Sequence, residues 1–154
     1  MLMNNIQEKS PEIRYMFVYG SLMKNFYNYE RYLQGFVGQN FKARVKGKLY
    51  HLYKRGYPAL INGEEFVYGE VFEINFSKEQ LDRIDAMEGF IEENSMKNEY
   101  NREILDVEVF IENKFEIKKA YVYKYNIKRQ PISDKDIYIE NGNWREFMIH
   151  HISE

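Results

Sequence analysis

The sequence predicts an α+β fold, rich in strands and carrying a few short helices. Three observations predict it. Aromatic residues make up 17% of the 154 residues, with 14 Tyr and 11 Phe, and large rings favour strands. Long stretches on either side of the chain's middle alternate apolar and polar side chains, the period of a half-buried strand. One intervening stretch, Ser77 to Gly89, carries the start and stop signals of a helix.

The first residues are polar, with Asn, Gln, Glu, Lys, Ser and Pro, and no apolar run of the kind a secretory leader needs. They predict a flexible tail over residues 1–13, followed by one domain over residues 14–154. Tyr15 to Tyr19 is the first strand. It runs into Phe17-Val18-Tyr19-Gly20-Ser21-Leu22, an apolar stretch stopping at a glycine turn. Glycine there lets backbone amides approach a ligand, and successive free N–H groups can cradle an anion. Most such turns only reverse the chain.

Phe26, Tyr29, Leu33 and Phe36 then recur at steps of three and four, one face of a short helix within Lys24 to Phe36. Phe41 to Tyr53 alternates, with Phe41, Ala43, Val45, Gly47, Leu49 and His51 on one face and Lys42, Arg44, Lys46 and Lys48 on the other. Gly47 marks a bend, and His51 is expected as a hydrogen-bonded core histidine. Asn62-Gly63 is a strong turn dipeptide, so Tyr57–Ile61 and Phe66–Ile74 are expected to form a hairpin. Glu70 sits mid-strand beside Gly69, either lining a cavity or facing outward.

Ser77 and Gln80 form a capping box, Phe76 and Leu81 a hydrophobic staple, and Gly89 the stop, giving a helix from Lys78 to about Glu88. Leu81, Ile84 and Met87 are its buried stripe. Ile91 to Glu99 reads as a loop. Tyr100 to Glu112 alternates with Leu105, Val107, Val109 and Ile111 inward. Asn113-Lys114 turns the chain into Phe115 to Tyr125, and Trp144 to His150 is a short closing helix.

Composition excludes several chemistries. There are no cysteines, hence no disulfides, thiolate nucleophiles or Cys-based metal sites, which suits a cytoplasmic setting. With 22 basic and 24 acidic residues there is no basic field for nucleic acid. No apolar run is near the roughly 18 residues a membrane span requires. His51, His150 and His151 alone make no metal site, and no phosphate loop, dinucleotide fingerprint or nucleophile elbow is present.

What remains is the Gly20 turn and Glu88. The helix dipole disfavours negative charge in a last turn, and Asp85 lies one turn earlier. Both effects, with any burial, raise the Glu88 pKa towards a value useful for proton transfer. The alternative is a solvated helix-end glutamate.

Together with these residues, Tyr57-Pro58-Ala59-Leu60, Val67-Tyr68-Gly69-Glu70-Val71-Phe72, Leu81 to Phe90, Tyr100-Asn101-Arg102, Ala120-Tyr121-Val122-Tyr123 and Gly142-Asn143-Trp144 resemble, in order and spacing, the signature of the γ-glutamylcyclotransferase-like proteins, which include the γ-glutamylamine cyclotransferases and AIG2-like proteins. The likeness covers about residues 15 to 146. It implies a small mixed β-barrel with a few short helices. It also implies an enzyme without cofactor or metal, in which the substrate's α-amino group attacks its own γ-glutamyl carbonyl. The products are 5-oxoproline and a free amine or amino acid. By the resemblance, Glu88 is the acid/base, and Tyr19, Gly20, Ser21 and Leu22 hold the glutamyl group through backbone groups. Tyr100 either touches substrate or is a structural hydroxyl, and Tyr123 belongs to the pocket wall. Arg102 is expected to pair with Glu70 or Asp85. The implied partner is a small γ-glutamyl compound, not nucleic acid or membrane. A non-catalytic module binding a small carboxylate or a protein on the same barrel is the alternative.

Overall fold

A computed structural model describes residues 13–152. The first twelve residues, which hold nearly all of the expected tail, lie outside the described residues, as do the last two.

The strands form one mixed sheet that nearly closes on itself. β1 (Tyr15–Val18) pairs antiparallel with β3 (Pro58–Ile74) and parallel with β5 (Lys114–Tyr125). β5 pairs antiparallel with β4 (Tyr100–Ile111), β4 with β2 (Val37–His51), and β2 with β3, which completes the ring. β6 (Ile137–Tyr138) adds to the end of β2 at Tyr50 and His51. Two seams are short: β1–β5 registers at Met16 opposite Tyr121, and β2–β4 at Ala43 opposite Val109 and Arg44 opposite Glu108. The result is a near-barrel, the mixed α+β architecture the resemblance implied. Its core gathers Met16, Phe17, Leu49, Leu60, Val67, Val71, Phe72, Val107, Val109 and Val122, all at most 1% exposed.

The expected hairpin at Asn62-Gly63 does not form. Pro58 to Ile74 is one long strand, and both of its halves pair with β2 in sequence, Ile61 opposite Lys48 and Phe66 opposite Lys46. Four residues, 62–65, therefore face the single Gly47, and the turn dipeptide lies in a wide bulge. Gly47 is required by close approach: a Cβ there would meet Leu60 Cδ1 at 2.4 Å and the Ile61 carbonyl at 2.9 Å.

The aromatic segment also differs. Turns and bends open it, residues 27–28 begin a helical turn, and Tyr29–Leu33 continues as a π-helical turn, closed by Gln34 N–H donating to the Tyr29 carbonyl at 2.9 Å. The wider turn shifts the phase of the expected stripe, so Leu33 is buried while Phe36 is 40% exposed.

Helix α1 (Lys78–Glu88) has the expected capping box, with Gln80 N–H donating to Ser77 Oγ at 3.2 Å and Ser77 N–H to Gln80 Oε1 at 3.1 Å. Its end is a Schellman motif. Gly89 takes φ +70°, its N–H bonds the Ala86 carbonyl, and Phe90 N–H bonds the Asp85 carbonyl. A second helix, α2 (Trp144–Ile152), closes the fold, and Trp144 Nε1–H donates to His51 Nδ1 at 3.1 Å, the bonded core histidine expected. No helix among the described residues is long and apolar enough to cross a membrane.

Candidate active site

β1 ends at Val18, whereas β3, β4 and β5 carry Pro58, Tyr100 and Tyr123 alongside it. The ring opens there, and a cavity of about 270 Å³ fills the gap. It is lined by the Val18–Leu22 turn, by Tyr27, Asn28, Arg31 and Tyr32 of the following segment, by Tyr57 and Pro58, by Met87 and Glu88 at the end of α1, and by Glu99, Tyr100 and Tyr123. Glu88 and the four turn residues Tyr19 to Leu22, distant in sequence, thus share one cavity.

The turn is held tightly. Met23 N–H donates to the Gly20 carbonyl at 2.9 Å, and buried Asn28 donates from Nδ2 to Ser21 Oγ at 2.7 Å. A Cβ on Gly20 would meet Pro58 Cγ at 2.7 Å, so glycine admits the β3 strand at this point. Among the described residues, the amides of Ser21 and Leu22 have no intramolecular acceptor.

The floor is three buried tyrosines whose hydroxyls are all engaged. Tyr19 donates to the Tyr123 carbonyl at 2.6 Å, Tyr100 to the Pro58 carbonyl at 2.6 Å, and Tyr123 to Asp85 Oδ1 at 2.6 Å. Tyr100's hydroxyl is thus tied to β3, and the residue lines the cavity. Burial first holds all three phenols protonated above the ordinary tyrosine range, with nearby charges, Glu88 among them, adding to the shift.

Three carboxylates converge on this floor. Asp85 is paired with Arg102 at 2.5 Å, one of the two partners expected for that arginine; Glu70, the other, pairs with Arg145 at 2.9 Å. Glu99 is paired with Arg55 at 2.7 Å and accepts a short hydrogen bond from Tyr57. Glu88 has no cationic partner among the described residues. Burial pushes its pKa up to about 8, with Glu99 and then Asp85 adding to the shift. The residue keeps partial access to solvent through the cavity that it lines.

Asp85 was legible one helical turn away. Glu99 was not: it falls at the end of a stretch read as loop, and only its position directly before Tyr100 hinted at the site. Tyr57, Asn28 and Arg31 were also missed. Tyr57 leads one of the segments that carried the resemblance, and Asn28 is a polar residue inside an aromatic run. No three His, Asp or Glu side chains among the described residues are grouped to hold a metal ion.

Residues 16–146 match the family described as γ-glutamyl cyclotransferase, AIG2-like. A protein of Methanocaldococcus jannaschii named "Putative gamma-glutamylcyclotransferase" is 31% identical over 139 residues, covering 88% of this chain and 98% of that one. The crystal structure of YkqA from Bacillus subtilis superposes with a TM-score of 0.61 at 25% identity over 92% of this chain; the chain spans 43% of YkqA's length. An AIG2-like protein from Mus musculus shares the fold with a TM-score of 0.58 at 19% identity, over 81% of this chain and 82% of that one.

Proposed function

The chain belongs to the AIG2-like γ-glutamyl cyclotransferase family, and on that premise we propose that it releases 5-oxoproline and a free amine or amino acid from a γ-glutamyl compound. Glu88 is the acid/base. The Tyr19–Leu22 turn holds the glutamyl group, against a wall that includes Tyr100 and Tyr123. The observation that carries this reading is Glu88 itself, a carboxyl without a cationic partner, in one cavity with two amides that have no acceptor.

The reaction needs position and proton transfer, not an external nucleophile. Holding the substrate folded brings its α-nitrogen to its own γ-carbonyl, which makes the attack intramolecular. Glu88 as carboxylate takes a proton from the α-ammonium, and the freed amine attacks the γ-carbon. A C–N bond forms, and the carbonyl oxygen becomes an oxyanion. Glu88 returns its proton to the leaving nitrogen, the original C–N bond breaks, and the oxyanion collapses to the lactam carbonyl. The attacking nitrogen sheds two protons in all and the departing amine gains two. A carboxylate passing through its acid form balances both, and a pKa of about 8 suits each direction. In this reading the Ser21 and Leu22 amides carry the α-carboxylate or the oxyanion. Ser21 Oγ accepts from Asn28 and is not needed as a nucleophile.

The test is 5-oxoproline release from a panel of γ-glutamyl compounds by wild type and Glu88→Gln. Wild-type kcat/KM is expected to rise through a limb near pH 8, and Glu88→Gln to lose turnover while keeping its fold. Full turnover in a clean Glu88→Gln preparation refutes the assignment.

A further inference from the structure

The leaving group is the open half of the substrate, and the cavity's charges address it. Among the described residues, those with formal charge in its lining are Glu88, Glu99 and Arg31. Glu99 is already paired with Arg55 at 2.7 Å. Glu88 is the proton carrier of the proposed reaction. Arg31 is exposed and has no ion pair with any described residue.

Position separates the two ends of the cavity. Tyr19, Tyr100 and Tyr123, between 3% and 6% exposed, form the closed floor beside Glu88. Tyr27, 65% exposed, and Arg31 sit one helical turn apart on the segment after the glycine turn, so they form the open rim. Asn28 ties that segment inward, through Ser21 Oγ at 2.7 Å and towards Met87 Sδ at 3.9 Å. The rim is thereby fixed to the turn and to the end of α1. A glutamyl group on the floor directs its leaving group outward, past Tyr27, to a guanidinium without a partner.

We propose that Arg31 is a specificity-determining residue that selects γ-glutamyl compounds whose leaving group carries a carboxylate, with Tyr27 packing against that group's side chain. This rests on the cyclotransferase reading of the same cavity. Charge complementarity favours it, since no other cation among the described residues lines the cavity and a guanidinium matches a carboxylate in fork geometry. A neutral amine leaving group would leave Arg31 without a counter-charge.

The test compares γ-glutamylalanine with γ-glutamylalaninamide, which differ only by carboxylate against carboxamide. Rates of 5-oxoproline release are measured with wild type and Arg31→Met, and affinities by calorimetry in the Glu88→Gln background. Wild type is expected to favour the carboxylate about fivefold, the strength of a partly solvated ion pair, and Arg31→Met to lose that preference without changing handling of the amide. Equal handling of the two probes by wild type overturns the inference. So does an equal loss on both in Arg31→Met, which places Arg31 on the glutamyl half or in the scaffold. Release without discrimination removes this inference and spares the reaction. Discrimination in binding without any release removes the reaction and spares the recognition. No binding of either probe removes both.

Discussion

A carboxyl raised to a pKa of about 8 from 4.5 must make the fold less stable as pH rises, and this can be measured without substrate. The sign follows from linkage. Below pH 4.5 Glu88 is protonated both folded and unfolded, and contributes nothing. Between 4.5 and about 8 the unfolded chain ionises while the folded one holds its proton, so stability falls steadily; above about 8 the penalty is constant. Integrated from pH 5 to pH 8, the shift corresponds to about 3.5 kcal/mol, and partial solvent access lowers the expectation to about 2–3 kcal/mol. Glu88→Gln keeps the shape of the neutral acid and cannot ionise. Its stability curve is therefore expected to stay flat relative to wild type, the two diverging by about 2–4 °C in Tm per kcal/mol for a chain of this size. The assay is thermal unfolding of both proteins at several pH values between 5 and 8, with the difference between curves as the readout. Any constant cost of the buried carboxamide cancels in that difference. Parallel curves across the range would mean that Glu88 ionises normally, and would refute the account of why it can carry a proton.

Two further perturbations probe the frame around the cavity. Glu70 accepts from Lys24 N–H at 3.0 Å and pairs with Arg145 at 2.9 Å, while Arg145 donates to the Lys24 carbonyl at 2.9 Å, so both backbone polar groups of one residue are clamped. Arg145→Met is expected to destabilise by about 1.5–3 kcal/mol, less than additively with Glu70→Gln; additive losses in the double-mutant cycle would show that no clamp exists. His51 accepts from Trp144, which protonation at Nδ1 would prevent, and burial first, then His151, lower its pKa from 6.5. Stability is thus present above pH 6.5 and lost as pH falls towards the lowered folded value. Chemical unfolding followed by the single tryptophan should show this loss in wild type and not in His51→Gln; identical pH profiles would exclude it.

Local signals carried the fold where one element decided its own shape. The capping box at Ser77 and Gln80, the stop at Gly89 and the alternation of β4 need no distant partner, and each forms as read. The failures lie where a partner decides. Asn62-Gly63 has the chemistry of a hairpin turn, but β2 is long enough to pair with both halves of β3, and ladder bonds along its whole length outweigh a local turn preference. The aromatic segment after Leu22 is set by distant partners, with Tyr29 packed on Phe72 and Phe26 on Trp144. Within the cavity, Glu88 and the Gly20 turn were legible because each breaks a local rule. Glu99 and Arg31 break none, and only the closed ring places them there.

Glu99 reaches the cavity through the same glycine that ends α1. Gly89 takes a left-handed φ of +70°, and a Cβ on it would lie 2.9 Å from the Cβ of Glu99. Glu99 N–H donates to the Gly89 carbonyl at 3.0 Å, which fixes the second carboxylate beside the first. The helix stop therefore does more than end a helix. It leaves Glu88 at the disfavoured end of the helix dipole and admits a like charge next to it. The neighbours are treated differently: Asp85 has Arg102 and Tyr123, Glu99 has Arg55 and Tyr57, and Glu88 has neither a guanidinium nor a phenol. With two of three carboxylates paired, the proton stays on the third: burial holds it there first, the charges of Glu99 and then Asp85 add to it, and Glu88 shares its cavity with the Gly20–Leu22 turn.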